Sequence, residues 1–333
     1  MDVDTFIAQH RADWDRLATL SGRQRLTGLE ADELVDLYQR VGTHLSTVHA
    51  SRSDPVLEAR LSGLLIRARS TVSGTSTPVI QTVARFITVG FPAAVWRVRW
   101  WWLAVGLACI GLCALIMYRV LSVPGLAGTL LSDHAAEQLV NYEFANYYSE
   151  NPATDFALLI FLNNALVVAN SMVTGIGVLP VLALLYRTME NTGIIGGFML
   201  EAGRADVFFG LLLPHGLLEL TIVFLGAAAG LRIGWAWMAP GMRTRAQALA
   251  QEGRILGTIA IGLAGWLLIS ALVEAFITPS QLPAWARLLI GGLVWAGFLG
   301  YVAFFGHRAV RAGETGDLAA TERSAEAPTE AAI

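Results

Sequence analysis

The run from Val207 to Met238 is almost wholly apolar and long enough to cross a bilayer, at about 1.5 Å of helix per residue. Inside it stands Pro214-His215-Gly216-Leu217-Leu218-Glu219, a histidine and a carboxylate at i and i+4, which share one helix face. A charged side chain at bilayer depth costs at least about 2.5 kcal/mol, so such residues turn toward a protein interior or an aqueous cavity. A second carboxylate, Glu274, lies in the apolar stretch Ile255–Ile277. The chain is thereby confined to a helical membrane fold with a polar cluster expected at midplane depth.

Composition agrees. Hydrophobic residues make up 55% of the chain and charged ones 15%, against about 25% charged in soluble domains. All 23 basic residues are arginine, and Ala, Gly, Leu and Val abound, a bias that points to a high-GC bacterial genome. The net charge of −3 excludes a strongly basic nucleic-acid binder. Cys109 and Cys113 lie one turn apart in the first span and read as small interior residues, a metal pair with no neighbouring histidine being the poorer reading. The N-terminus shows no basic-then-apolar leader, so the chain from Met1 is expected to be retained and cytosolic.

Residues 1–75 read as a small cytosolic helical domain. Phe6, Ile7, Trp14 and Leu17 recur at helical spacing, as do Leu34, Leu37, Tyr38, Val41 and Leu45, and Asp54-Pro55 opens a third helix. Residues 76–99 follow as the end of a Ser/Thr/Gly linker (Ser70–Pro78), an interfacial amphipathic helix over Val79–Phe91, and a Trp96, Trp100, Trp101, Trp102 anchor flanked by Arg97 and Arg99. The transmembrane domain is expected over 100–306, with Trp100–Leu121 as its first span. Ser122–Thr154 contains no basic residue and belongs outside, by the positive-inside rule. Ile255–Ile277 and Ala286–Gly306 are clean spans. Residues 307–333 read as a disordered cytosolic tail. With both termini inside, the crossings must be even in number, and about six segments are expected, some short or broken.

Between 155 and 238 the pattern is least regular. Gly175, Gly177 and Pro180, then Gly193 and Gly196, then Pro214 are expected to break or kink helices. Transporters place such half-helix ends at substrate sites, yet glycine also serves packing alone. Gly226, Gly230 and Gly234 line one helix face and permit close backbone approach, either to another span of the same chain or across a homodimer. His215 and Glu219, with Glu274, Asn163 and Asn164 as candidate partners, make either a proton-, ion- or substrate-binding site or a buried hydrogen-bonded clasp between spans. The spacing lacks the His-Glu-x-x-His of a zinc protease, so no bound metal, cofactor or catalytic residue is expected.

These residues resemble the stage II sporulation protein M family of bacterial membrane proteins. The match runs through Leu213-Pro214-His215-Gly216 to Glu219 and on into Gly226–Gly234, supported by Phe161–Asn164, Gly175–Gly177, Asn191–Gly196 and Ala271–Pro279. The N-terminal third is similar to long actinobacterial members around Trp14–Leu17 and Leu37–Arg40. The resemblance implies a multi-pass protein of the bacterial plasma membrane that anchors cell-wall hydrolases in endospore formers without being a hydrolase itself. The expectation is therefore an all-α, non-enzymatic envelope scaffold, embedded in the lipid bilayer and meeting envelope or cytosolic protein partners. The alternative is a transporter or lipid-handling protein that uses the His215/Glu219/Glu274 cluster.

Overall fold

The computed structural model describes residues 3–23, 26–51, 54–72, 79–148 and 152–317, and among them every regular element is helical. The chain divides into two compact units, Met1–Val83 and Ala84–Ile333.

The first unit holds α1 (Val3–Ser21), α2 (Gly28–Ser51) and α3 (Pro55–Val72). Thr27 and Glu30 form a capping box at the start of α2: Thr27 Oγ1 accepts from the Glu30 N–H (3.3 Å) and Glu30 Oε2 from the Thr27 N–H (2.9 Å). Asp54 Oδ1 caps α3 by accepting from Val56 and Leu57 N–H at 2.8 and 3.1 Å, with Pro55 in the first helical position. Trp14, Leu17 and Leu20 of α1, Leu34, Leu37 and Val41 of α2, and Leu57, Leu61 and Leu64 of α3 close a core of their own. The expected linker begins later than Ser70, because α3 continues to Val72. Its remainder, 73–78, lies outside the described residues.

The boundary falls within α4 (Val79–Arg85), which is followed without interruption by a π turn (Phe86–Gly90) and α5 (Phe91–Ser122) of the second unit. A separate interfacial helix and a span beginning at Trp100 were expected. Instead one helix carries the chain through the tryptophan cluster. Pro92 has no N–H to give, and the π turn just before it, closed by Phe91 N–H on Phe86 O, takes up the misfit. Short helices α6 (Leu126–Leu130), α7 (Asp133–Gln138) and α8 (Phe144–Asn146) fill the connection to α9 (Ala153–Val173). Then come α10 (Leu179–Glu201), α11 (Ala205–Met238), α12 (Arg245–Leu272) with a π turn Val273–Ile277, α13 (Ala284–Tyr301) with a π turn Val302–Gly306, and α14 (His307–Arg311).

Five helical stretches are long and apolar enough to cross a membrane: Ile80–Ser122, Ala153–Gly177, Ala205–Met238, Arg245–Ile277 and Ala284–Arg311. α10, with 23 residues, is slightly longer than α9 but carries Arg187, Glu190 and Glu201. It nonetheless runs the same thickness, with Val178 beside Gly234 at one end and Gly197 against Val120 at the other. The bundle therefore has six helices, and α11 touches the other five. Arg97, Arg232, Arg243 and Arg254 gather at one end of it. The α6–α8 segment and the turn after Ile277 lie at the other, here termed the loop end.

The expected helix breaks sort into two kinds. The chain turns at the 3-10 segment Thr174–Gly177, and Val178 there is the one described non-glycine residue with positive φ, at 57°. Gly193 and Gly196 break nothing, since α10 is continuous from Leu179 to Glu201. A Cβ at Gly193 would stand 2.9 Å from the Ile116 side chain and one at Gly196 would run into Met117, so these glycines are gaps for α5. Pro214 likewise lies within unbroken α11. A Cβ on Gly291 would fall 2.5 Å from Pro214 Cα, so α13 lies directly on the proline turn. The tail also departs from expectation, for residues 307–317 are ordered. Asp317 accepts two hydrogen bonds from Arg254 (2.7 and 3.0 Å), and Gly316 packs on Ala94. Residues 318–333 lie outside the described residues.

Candidate functional site

His215 and Glu219 of α11 meet Glu274 of the π turn after α12, with their ligating atoms all within 4.8 Å of one another. His215 Nε2 stands 3.7 Å from Glu274 Oε1, and Asn164 of α9 stands beside Glu219. His215 and Glu274 are each only 4% exposed. Glu219 is partly exposed as a residue, yet its Oε2 is closed off, and neither this oxygen nor Glu274 Oε2 has a hydrogen-bond partner among the described residues. A buried carboxylate oxygen without a donor is expensive, and here there are two.

The imidazole is fixed from behind. Thr278 Oγ1 lies 3.2 Å from His215 Nδ1 and also reaches Val273 O at 3.5 Å. With Thr278 at Nδ1, the Nε2 edge of the ring faces the carboxylates. Ser270 Oγ donates to His215 O (3.4 Å), and the Tyr148 ring lies 5.7 Å from the imidazole. Burial, reinforced by the Glu274 charge, holds the Tyr148 hydroxyl above the usual phenol range, so it stays a donor.

A cleft of about 460 Å³ leads to this floor. Glu143 and Tyr147 come from the loop-end segment, Asn191 and Thr192 from α10, and Leu212 from α11. Along the bundle the cluster lies toward the loop end, whereas the apolar flanks of Pro214–Glu219 led to the expectation of midplane depth. Glu274 is in the last π turn of its helix, and Thr278 and Tyr148 belong to connections at the loop end. Asn163 is exposed and joins the cluster only through Asn164, whose Oδ1 accepts from Asn163 Nδ2 at 3.3 Å.

Gly226, Gly230 and Gly234 face α9 and the turn after it. A Cβ would stand 2.9 Å from Val168 at Gly226, 3.1 Å from Met172 Cα at Gly230 and 2.5 Å from Gly175 O at Gly234. The small-residue face is thus consumed within one chain. A second polar centre was missed from sequence: Glu252 of α12, 4% exposed, takes Arg97 Nη2 at 2.6 Å and Arg232 Nε at 2.8 Å. Arg232, near the end of α11, is the partner that ties this centre to the middle of the bundle. Only its distance in sequence from Glu252 and Arg97 concealed the pairing.

In the first unit, His10, Asp13 and His44 also come within 4.8 Å of one another. Trp14 Nε1 donates to His44 Nδ1 at 3.2 Å, which places the His44 proton on Nε2, and Arg40 already pairs with Asp13 at 3.4 Å. This is a packed aromatic cluster. Burial, then the neighbouring His10, lowers the His44 pKa. The folded state therefore binds this proton less readily than the unfolded chain, so the stability involved is complete above about pH 6.5 and fades as pH falls through that value. Hydrogen exchange of α1 and α2 amides in the full chain, corrected for intrinsic rates, should speed up at pH 5.5 relative to 7.5, and His44→Gln should flatten the change. Equal protection at both pH values would contradict it.

Six packed helices, an interior carboxylate pair and a histidine aimed at it define a polytopic helical membrane protein with a polar site enclosed at one end of its bundle. This chain belongs to the stage II sporulation protein M family, whose family model, described as Stage II sporulation protein M, matches residues 83–279. A second model, described as a domain of unknown function (DUF8413), matches residues 4–74. The two matches meet near the division between the units at Val83 and Ala84. No curated protein and no solved structure matches the chain.

Proposed function

We propose that this chain is a non-enzymatic protein of the bacterial plasma membrane that binds a small polar solute through the loop-end cleft, and transports or senses it. The observation that carries this reading is the pair of partnerless oxygens, Glu219 Oε2 and Glu274 Oε2, at the floor of the cleft. A clasp whose sole duty was to join helices would use its oxygens on donors, because unmet acceptors weaken the joint. The arginine-rich end supports an orientation with both termini in the cytosol and the cleft facing outward.

The envelope-anchor reading draws on a different observation. α9 and the 3-10 turn after it meet α11 through backbone at Gly175, Gly230 and Gly234, which gives a stiff platform, and the first unit has a core of its own. Both features suit a protein that holds partners on two sides of a membrane.

Solvent access separates the readings. In a Cys109→Ala, Cys113→Ala background, a cysteine at Leu212 is expected to react from outside intact cells with a membrane-impermeant thiol reagent. Asp133→Cys at the exposed loop end serves as positive control. A Leu212 cysteine that stays unreactive while the control labels fully would remove the cleft reading and leave the anchor.

A further inference from the structure

We infer that the occupant of this cleft is a divalent transition-metal ion of the zinc type, held by His215 Nε2, Glu219 and Glu274. The inference rests on the reading of the cleft as a binding site and names the class of solute.

His215, Glu219 and Glu274 bring three metal-ligating atoms to one point. With Thr278 at His215 Nδ1, the Nε2 edge of the ring faces Glu274 Oε1 at 3.7 Å, too far for a hydrogen bond and wide enough for an ion to lie between them. A proton shared by the two carboxylates would satisfy one contact but would leave the Nε2–Glu274 contact open. A metal ion satisfies all three. The ligating atoms, all within 4.8 Å of one another, need draw in by only about 1 Å to reach the ~2.0–2.2 Å bonds zinc makes to nitrogen and oxygen.

The surroundings have the form of a metal site's outer layer. A ligating histidine usually donates its other ring N–H to an oxygen, and Thr278 Oγ1 stands in that position, 3.2 Å from Nδ1. Glu219 is steadied by Asn164. The Tyr148 hydroxyl is a donor at the same wall, and the cleft supplies an entry path and room for water in the open coordination position. The chemistry also selects among ions. Calcium and magnesium ask for about six or more oxygens, whereas one imidazole with two carboxylates suits zinc, cobalt or nickel. Glu143 at the cleft mouth adds a negative charge on the way in. The other histidine cluster, around His44, has its nitrogen turned to Trp14 and takes no part.

The test is zinc binding to the purified full-length protein in detergent, stripped with chelator and then titrated with zinc against a competing dye. One zinc per chain is expected. Glu274→Gln and His215→Gln should lose it, and His44→Gln should keep it. Thr278 is not itself a ligand but holds one, His215, so Thr278→Val should weaken zinc binding about 10–100-fold with the elution profile of the native protein, as removal of an outer-layer partner does. Magnesium in excess should not compete. Zinc binding that persists in both Glu274→Gln and His215→Gln, or its absence from a protein that elutes as the native species, would overturn the assignment. If zinc is absent while the Leu212 cysteine still labels, the metal falls and the solute-binding cleft stands. If both fail, the cleft reading falls with it.

Discussion

Gly230→Ala is expected to cost this protein about 3 kcal/mol or more, at the severe end of what overpacking does, and to remove most of the folded species from the membrane. The methyl group would land on Ser171 O and the Met172 backbone, with Met172 Cα at 3.1 Å. Neither neighbour can rotate away, because both are main chain. Relief requires α11 to move off α9, and that movement would open the contacts at Gly226 and Gly234 on the same face. Gly265→Ala gives the matching control, since nothing lies within 4 Å of its added Cβ. It should be neutral or stabilising by up to about 1 kcal/mol, through helix propensity alone. Thermal unfolding in mild detergent, followed by loss of the monodisperse peak, would compare the two. Equal midpoints would show that the close approach is not what holds α9 to α11.

That glycine ladder also shows how much could be read from the chain. The four-residue spacing of Gly226, Gly230 and Gly234 announced a close helix contact, but spacing carries no information on which helix answers. The answer lay in Gly175, half a hundred positions upstream, whose own Cβ would strike the Gly230 backbone. Apolar run length identified the spans well, because the bilayer imposes it. It misled where glycine was taken as a break. Gly193 and Gly196 sit in a helix that has a tightly packed neighbour on that side, and a close neighbour demands small residues as strongly as a bend does. Pro214 was legible as an irregularity but not as an unbroken one, since the compensating Gly291 lies on another helix.

The polar site was legible in its charges and not in its setting. Any ionisable residue inside an apolar run stands out, so His215, Glu219 and Glu274 were visible at once. Thr278 and Tyr148 were not. A threonine in a turn and a tyrosine in an external segment are ordinary on sequence, and only the π turn at Val273–Ile277 and the folding of the loop-end helices bring them to the imidazole. The cluster's place along the bundle was hidden for a related reason. α11 has 34 residues and overshoots a span of about 20, so the centre of its apolar run is not fixed against the bundle by sequence.

Loss of Glu252 should be the most damaging change at the opposite end, on the order of 3–5 kcal/mol for Glu252→Leu. The carboxylate is 4% exposed and holds Arg97 Nη2 at 2.6 Å and Arg232 Nε at 2.8 Å, while Arg232 Nη1 also donates to Arg97 O at 3.2 Å. One residue thus ties α5, α11 and α12 together. Without it, two guanidinium groups confront each other in a half-buried setting with no counter-charge, so the loss is chiefly the cost of stranded charge rather than of missing contacts. The same logic makes a second, opposite expectation. Adding Arg97→Met and Arg232→Met to Glu252→Leu removes the stranded charges and fills the space with apolar atoms, and most of the lost stability should return. Thermal unfolding of the single and triple variants in one detergent decides the matter. A triple variant less stable than Glu252→Leu would mean that the arginines act through packing of their stems or the Arg97 carbonyl contact, and that charge pairing is not what closes this end of the bundle.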